Sequence, residues 1–76
     1  MTKEQCRAAR ALLGWTLDEL AERSSISRGS IHRFESGIGE PRRSTVRLLR
    51  EAFEAARIEF LGNGRGKGVR LLDEPE

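Results

Sequence analysis

Between Ser27 and Arg33 the chain reads SRGSIHR, and past a glycine-bearing corner Arg42 and Arg43 follow Pro41. Ser27, Arg28, Ser30, His32 and Arg33 are short polar or basic side chains, the kinds that hydrogen-bond base edges in a duplex groove. An arginine bonds guanine bidentately, a contact worth about 1–3 kcal/mol of discrimination. His32 both donates and accepts, so the base it would meet is ambiguous. Gly29 costs a helix about 1 kcal/mol relative to Ala. Either its missing side chain lets the backbone approach DNA closely, or it is a neutral gap on an exposed helix. Arg42 and Arg43 are placed to clamp phosphates, with solubility as the competing reading.

Such a row of side chains needs a helix braced by a second helix across a tight corner. Thr16 to Gly37, TLDELAERSSISRGSIHRFESG, has that form. Thr16 with Glu19 three residues on is a capping box, and Trp15 with Leu20 has the spacing of a hydrophobic staple. Trp15 is therefore read as packing. Leu17, Leu20 and Ala21 give the inner face, and Ser24-Ser25 breaks it. Ser27 caps the next helix, with Ile26 and Ile31 again at staple spacing. Ile31 and Phe34 point inward, so Gly29, His32 and Arg33 point outward, flanked by Arg28 and Ser30. Gly37 ends that helix, and Gly39-Glu40-Pro41 completes a turn.

An earlier helix is expected over 3–13, with Cys6, Ala9 and Leu13 on one face and Gly14 closing it. Cys6 reads as a small core residue, since no base or metal partner is evident. A fourth helix is expected over 43–57 from Val46, Leu49, Phe53 and Ala56. Its first turns carry Arg42, Arg43 and Arg47, cations that oppose the helix dipole. Something other than helix stability would then keep them there.

Net charge is +2 over 76 residues, unevenly placed. The segment 23–50 holds seven Arg against two Glu. A basic face beside an acidic remainder suits a polyanion, or a merely solvated helical surface. No apolar run approaches the ~20 residues of a membrane span, so no membrane partner is expected. The first ten residues carry no apolar signal core, and the single cysteine forbids an internal disulfide. A reducing, cytoplasmic, nucleoid-associated setting is expected.

The residues LDELAERSSISRGSIHRFESG and the downstream EPRRST resemble the phage-repressor-like helix-turn-helix group, the xenobiotic-response-element (XRE) family that includes lambda repressor and Cro. The likeness runs from about Arg7 to Phe53. It implies a mainly α fold, a compact bundle of four or five helices, and operator binding, usually by a homodimer. It implies that Ser27, Arg28, Gly29, Ser30 and Arg33 meet bases or phosphates of double-stranded DNA. It also implies that Arg10 of the first helix pairs with Glu35, making both structural alongside Thr16 and Glu19. Two residues depart from the pattern. Leu17 stands where many members carry a phosphate-touching Gln, and Arg57 stands where close relatives carry Gly after the fourth helix.

After Arg57 the period changes. Ile58-Glu59-Phe60-Leu61 and Val69-Arg70-Leu71-Leu72 read as short strands. The expected organisation is a helical DNA-binding domain over 1–57, a strand pair over 58–72 and a disordered tail over 73–76. The run Gly62-Asn63-Gly64-Arg65-Gly66-Lys67-Gly68 reads as a flexible connection, with Arg65 and Lys67 near DNA. It fails as a nucleotide loop, because Leu61 replaces the first glycine of the motif and Gly68 follows the lysine. No cofactor and no metal are expected. Ile58, Phe60, Val69 and Leu71 alternate, giving one apolar face. That face either joins a second copy, as a dimerisation element, or folds onto the chain's own fourth helix.

These readings converge on a transcription regulator, a dimeric repressor reading a palindromic operator in the major groove. The alternative is an antitoxin-like module that masks a protein partner such as a toxin. An enzyme is disfavoured by one His, one Cys, no Tyr and no metal-spaced cluster.

Overall fold

The computed structural model describes residues 1–63 and 66–73. The connection expected at Gly64 and Arg65 and the tail 74–76 lie outside the described residues. Four helices precede an antiparallel strand pair. None of these helices is long and apolar enough to cross a membrane.

Helix α1 (Lys3–Leu13) opens on a reciprocal capping box. Thr2 Oγ1 accepts from Gln5 N, and Gln5 Oε1 accepts from Thr2 N. Gly14 closes the helix at φ 68°. Helix α2 (Leu17–Ser24) is capped by Thr16, whose Oγ1 accepts from Glu19 N at 3.1 Å. The return bond expected from Glu19 is not made, because its carboxylate instead accepts from Arg23 one turn on. Trp15 does pack: its ring stacks on Phe53 at 5.8 Å, under the Arg23 guanidinium.

The corner after α2 rests on Ser25, held in the left-handed region at φ 64°. Ser24 is buried, and its Oγ accepts from Ile26 N, which fixes the exit of the turn. Helix α3 (Arg28–Ser36) is capped by Ser27 and closed by Gly37 at φ 72°. Helix α4 (Arg43–Ala55) ends two residues short of the expected position 57. It stops because Arg57 takes φ 72°, a conformation that cannot continue a helix.

Strands β1 (Ile58–Asn63) and β2 (Gly66–Leu71) pair in register from Ile58↔Leu71 to Asn63↔Gly66. The pairing consumes most of the glycine run that reads as a flexible connection, and Leu72 falls outside it. Glycine's weak strand preference is overcome here by a support from α1. Gln5 Nε2 donates to Leu61 O at 3.0 Å and to Gly68 O at 2.9 Å, across both strands.

Cys6, Ala9, Leu20, Ile31, Leu49, Phe53 and Ile58 form the core. Phe53 lies at its centre, stacked by Trp15 and met edge-on by Phe60. Ile58 is 3% exposed, and Phe60 and Val69 pack against the same core. The apolar face of the strand pair is therefore covered by the chain's own helices, the second of the two arrangements that the alternation allows. Of the four residues expected to join two copies, only Leu71 stays exposed.

Candidate nucleic-acid interface

Helix α3 turns one side to the core through Ile31, Phe34 and Glu35. Arg28, Gly29, Ser30, His32 and Arg33 are all exposed on the other. Ser27 is exposed too, but its hydroxyl is committed: it accepts from Ser30 N and donates to Ser30 Oγ. Its first task is thus capping. A Cβ built on Gly29 meets nothing within 4 Å, so packing does not demand glycine there. Leu17 is half-buried and lines a shallow notch with Arg28, Gly29 and His32.

A second cleft lies between α3 and the start of α4. Ser30, Arg33, Arg42 and Thr45 supply its polar wall, and Phe34 and Ile38 its apolar floor. Ile38 is half exposed on this basic side, a feature that no periodicity in the residues announces. Arg42 precedes α4 without capping it through a side chain, and Arg43 and Arg47 are exposed on that helix.

Ion pairing divides the arginines. Arg7, Arg10, Arg23, Arg28, Arg50 and Arg70 each meet a carboxylate. Arg33, Arg42, Arg43, Arg47 and Arg57 meet none among the described residues, and of these Arg57 binds the Asp73 carbonyl instead. The four on α3, at the cap of α4 and on α4 itself would attract an anion, and Arg suits phosphate through its planar fork.

Beneath this face α3 is tied to α1. Arg10 Nε and Nη2 donate to the two oxygens of Glu35, each at 2.8 Å, and Nη1 donates to Trp15 O. The Cys6 thiol adds a bond to Glu35 at 3.2 Å. Burial alone would raise the Glu35 pKa, but the bonds from Arg10 and Cys6 outweigh it and hold the carboxyl below its usual range. The same carboxylate raises the pKa of Arg10, while burial, then Glu35, pushes the Cys6 thiol far up. Cys6 is fully buried, so it stays protonated and inert.

The order of elements, the corner and the outward basic helix now stand together, and a family model described as helix-turn-helix matches residues 7–60. The chain belongs to this helix-turn-helix family, of the lambda repressor and Cro type. Its members are DNA-binding transcription regulators. No curated protein matches the chain. Within the helix-turn-helix frame α2 is the first helix of the motif and α3 the second. The match also covers α4 and reaches Phe60, so β1 begins inside the family's span.

One polar side chain of this face escapes a reading of the residues alone. Asp18, exposed at the start of α2, lies with Oδ1 3.0 Å from Arg28 Nε. Its only local signal is an acid in the first turn of a helix, which dipole stabilisation already explains. Gln5 is similar. The T-x-x-Q spacing announces its cap role, but nothing local announces its bonds to residues far along the chain.

Proposed function

We propose that this protein is a transcriptional repressor that binds a palindromic operator as a homodimer, with α3 of each copy in the major groove. Arg28, Ser30, His32 and Arg33 read base edges, and Gly29 lets the helix backbone come close. Arg33 sits beside Arg42 at the cleft, so it serves a base or the adjoining phosphate. Arg42 and Arg43 clamp the backbone on the flank, and Ser27 holds the first turn of α3 in place. Bound over a promoter, the module represses by occluding polymerase, within the cytoplasm.

The observation that carries this reading is the set of arginines on α3 and at the start of α4 that meet no carboxylate among the described residues, beside the exposed face of α3. The dimer rests on a different footing. With the apolar face of the hairpin committed internally, the remaining means of joining copies are the unpaired strand edges and exposed Leu61 and Leu71.

Selection of bound sites from random DNA tests the reading, repeated with Arg28→Ala and Arg33→Ala. A palindromic motif is expected, altered at different positions by the two variants. A preference unchanged by both would remove α3 from the groove. A motif with a single half-site, together with only 8.6 kDa species in ultracentrifugation at micromolar concentration, would remove the dimer.

A further inference from the structure

We propose that Asp18 is a positioning residue for base recognition, holding the Arg28 guanidinium through an ion pair on its Nε side so that its terminal amino groups face a guanine. The inference rests on the reading that α3 enters the major groove.

Asp18 and Arg28 belong to different helices, yet Nε and Oδ1 lie 3.0 Å apart across the corner. Both side chains are largely open to solvent, at 65% and 79% exposure for Arg28 and Asp18. An acid in the first turn of α2 favours the helix dipole, but Glu19 already stands there. A second carboxylate beside a face that meets phosphate repels the ligand, so dipole compensation alone is a weak reason for it. Its contact with Arg28 is a better one. Guanidinium carries five N–H donors in a fixed fork. An ion pair on the Nε side leaves the outer amino groups open, and those suit the O6 and N7 acceptors of guanine. Arg has a long flexible stem, so holding it in place before binding reduces the ordering cost at the moment of contact. The recognised ligand is thus a duplex site with guanine at the position that Arg28 reads.

The experiment measures affinity of the full chain for its selected operator by fluorescence anisotropy. The same duplex with 7-deazaguanine at the Arg28-dependent position, and an unrelated duplex, complete the set. Asp18→Asn should lower discrimination against 7-deazaguanine by roughly twofold to fivefold, the range of an exposed ion pair. Its affinity for the unrelated duplex should be unchanged or higher, because a repelling charge is gone. Asp18→Glu should restore part of the discrimination, and in an Arg28→Ala background Asp18→Asn should change nothing. If Asp18→Asn discriminates as the parent does, or acts equally without Arg28, Asp18 is no more than a helix-end acid and the proposal falls. If Arg28→Ala itself leaves guanine preference intact, the groove reading of Arg28 falls first and takes the proposal with it.

Discussion

At the scale of single residues, the Arg10–Glu35 pair and Gly29 make opposite demands on the molecule. The Arg10–Glu35 pair locks α3 to α1 through two bonds of 2.8 Å, with Glu35 only 6% exposed. Removing one partner leaves an uncompensated charge at the core rim. Arg10→Ala should therefore cost about 2–4 kcal/mol in urea unfolding, at the lower side of buried pairs because Arg10 is partly open. The depressed pKa of Glu35 sets a pH signature. Its contribution is complete above the ordinary value of 4.5 and erodes as pH falls from there toward the lower folded value. The urea midpoint of the parent should drop through that window more steeply than that of Glu35→Gln; equal slopes would disconnect the pair from stability. Gly29 makes the reverse prediction. Gly29→Ala meets no neighbour, so it should stabilise the fold by about 1 kcal/mol. It should weaken operator binding at the same time if the backbone approaches DNA there. Tighter or equal binding would mark Gly29 as a neutral gap.

At the scale of elements, the two left-handed residues carry most of the tension in the backbone. Ser25 closes the corner at φ 64°, where a residue with Cβ is disfavoured by roughly 1–2 kcal/mol. Ser25→Gly should raise the thermal midpoint, with a net gain of about 0.5–1 kcal/mol after the greater freedom of unfolded glycine is set against it. A lower midpoint would show that Ser25 is held by something more than geometry. Arg57 is a different case. It stands where the resemblance expects glycine, adopts φ 72°, and binds Asp73 O through Nε and Nη2. Its carbonyl also accepts from Leu72 N at 2.8 Å, so one strained residue ties the end of the hairpin to the end of α4. What a reader of the residues can see divides along these lines. Caps at Thr16, Ser27, Gly14 and Gly37 are visible because each is a local bargain between a side chain or a glycine and the next few amides. The left-handed turn at Ser25 is not visible, because serine has no preference for that conformation, and at Arg57 only the glycine expected from the resemblance hints at it. The exposed face of α3 is legible from its period, since Ile31 and Phe34 fix which side is inward. The Asp18–Arg28 contact is not, because it depends on the angle between two helices.

At the scale of the whole molecule, one core serves both α3 and the strand pair. The alternation of Ile58, Phe60, Val69 and Leu71 announces an apolar face, but says nothing about which surface covers it. The answer is the chain's own interior, with Ile58 touching the cluster that also holds Ile31 of α3. Ile58→Ala should therefore destabilise each copy by about 2–4 kcal/mol, as other core truncations do. That loss should be independent of protein concentration. A loss that fades as concentration rises would place Ile58 in an interface between copies. Charge acts at this scale as well. If each copy neutralises about three phosphates, the logarithm of a dimer's binding constant should fall with that of salt at a slope near −5. Charge removal at Arg42 and Arg43 should flatten the slope without altering the preferred sequence, and a salt-independent constant would exclude phosphate clamping altogether.

The Gln5 amide has a consequence for the order in which the chain is made. Its two acceptors, Leu61 O and Gly68 O, lie 56 and 63 residues downstream. Closing so long a loop is entropically slow, and it requires both strands to be present. During synthesis α1, α2 and α3 emerge early, yet the first helix cannot complete its seat until residue 68 has cleared the ribosome. A chain halted before that point lacks both acceptors of the Gln5 amide, although Arg10 and Cys6 of α1 still meet Glu35 of α3 in the finished fold. The seat of the first helix is thus completed only by the last strand.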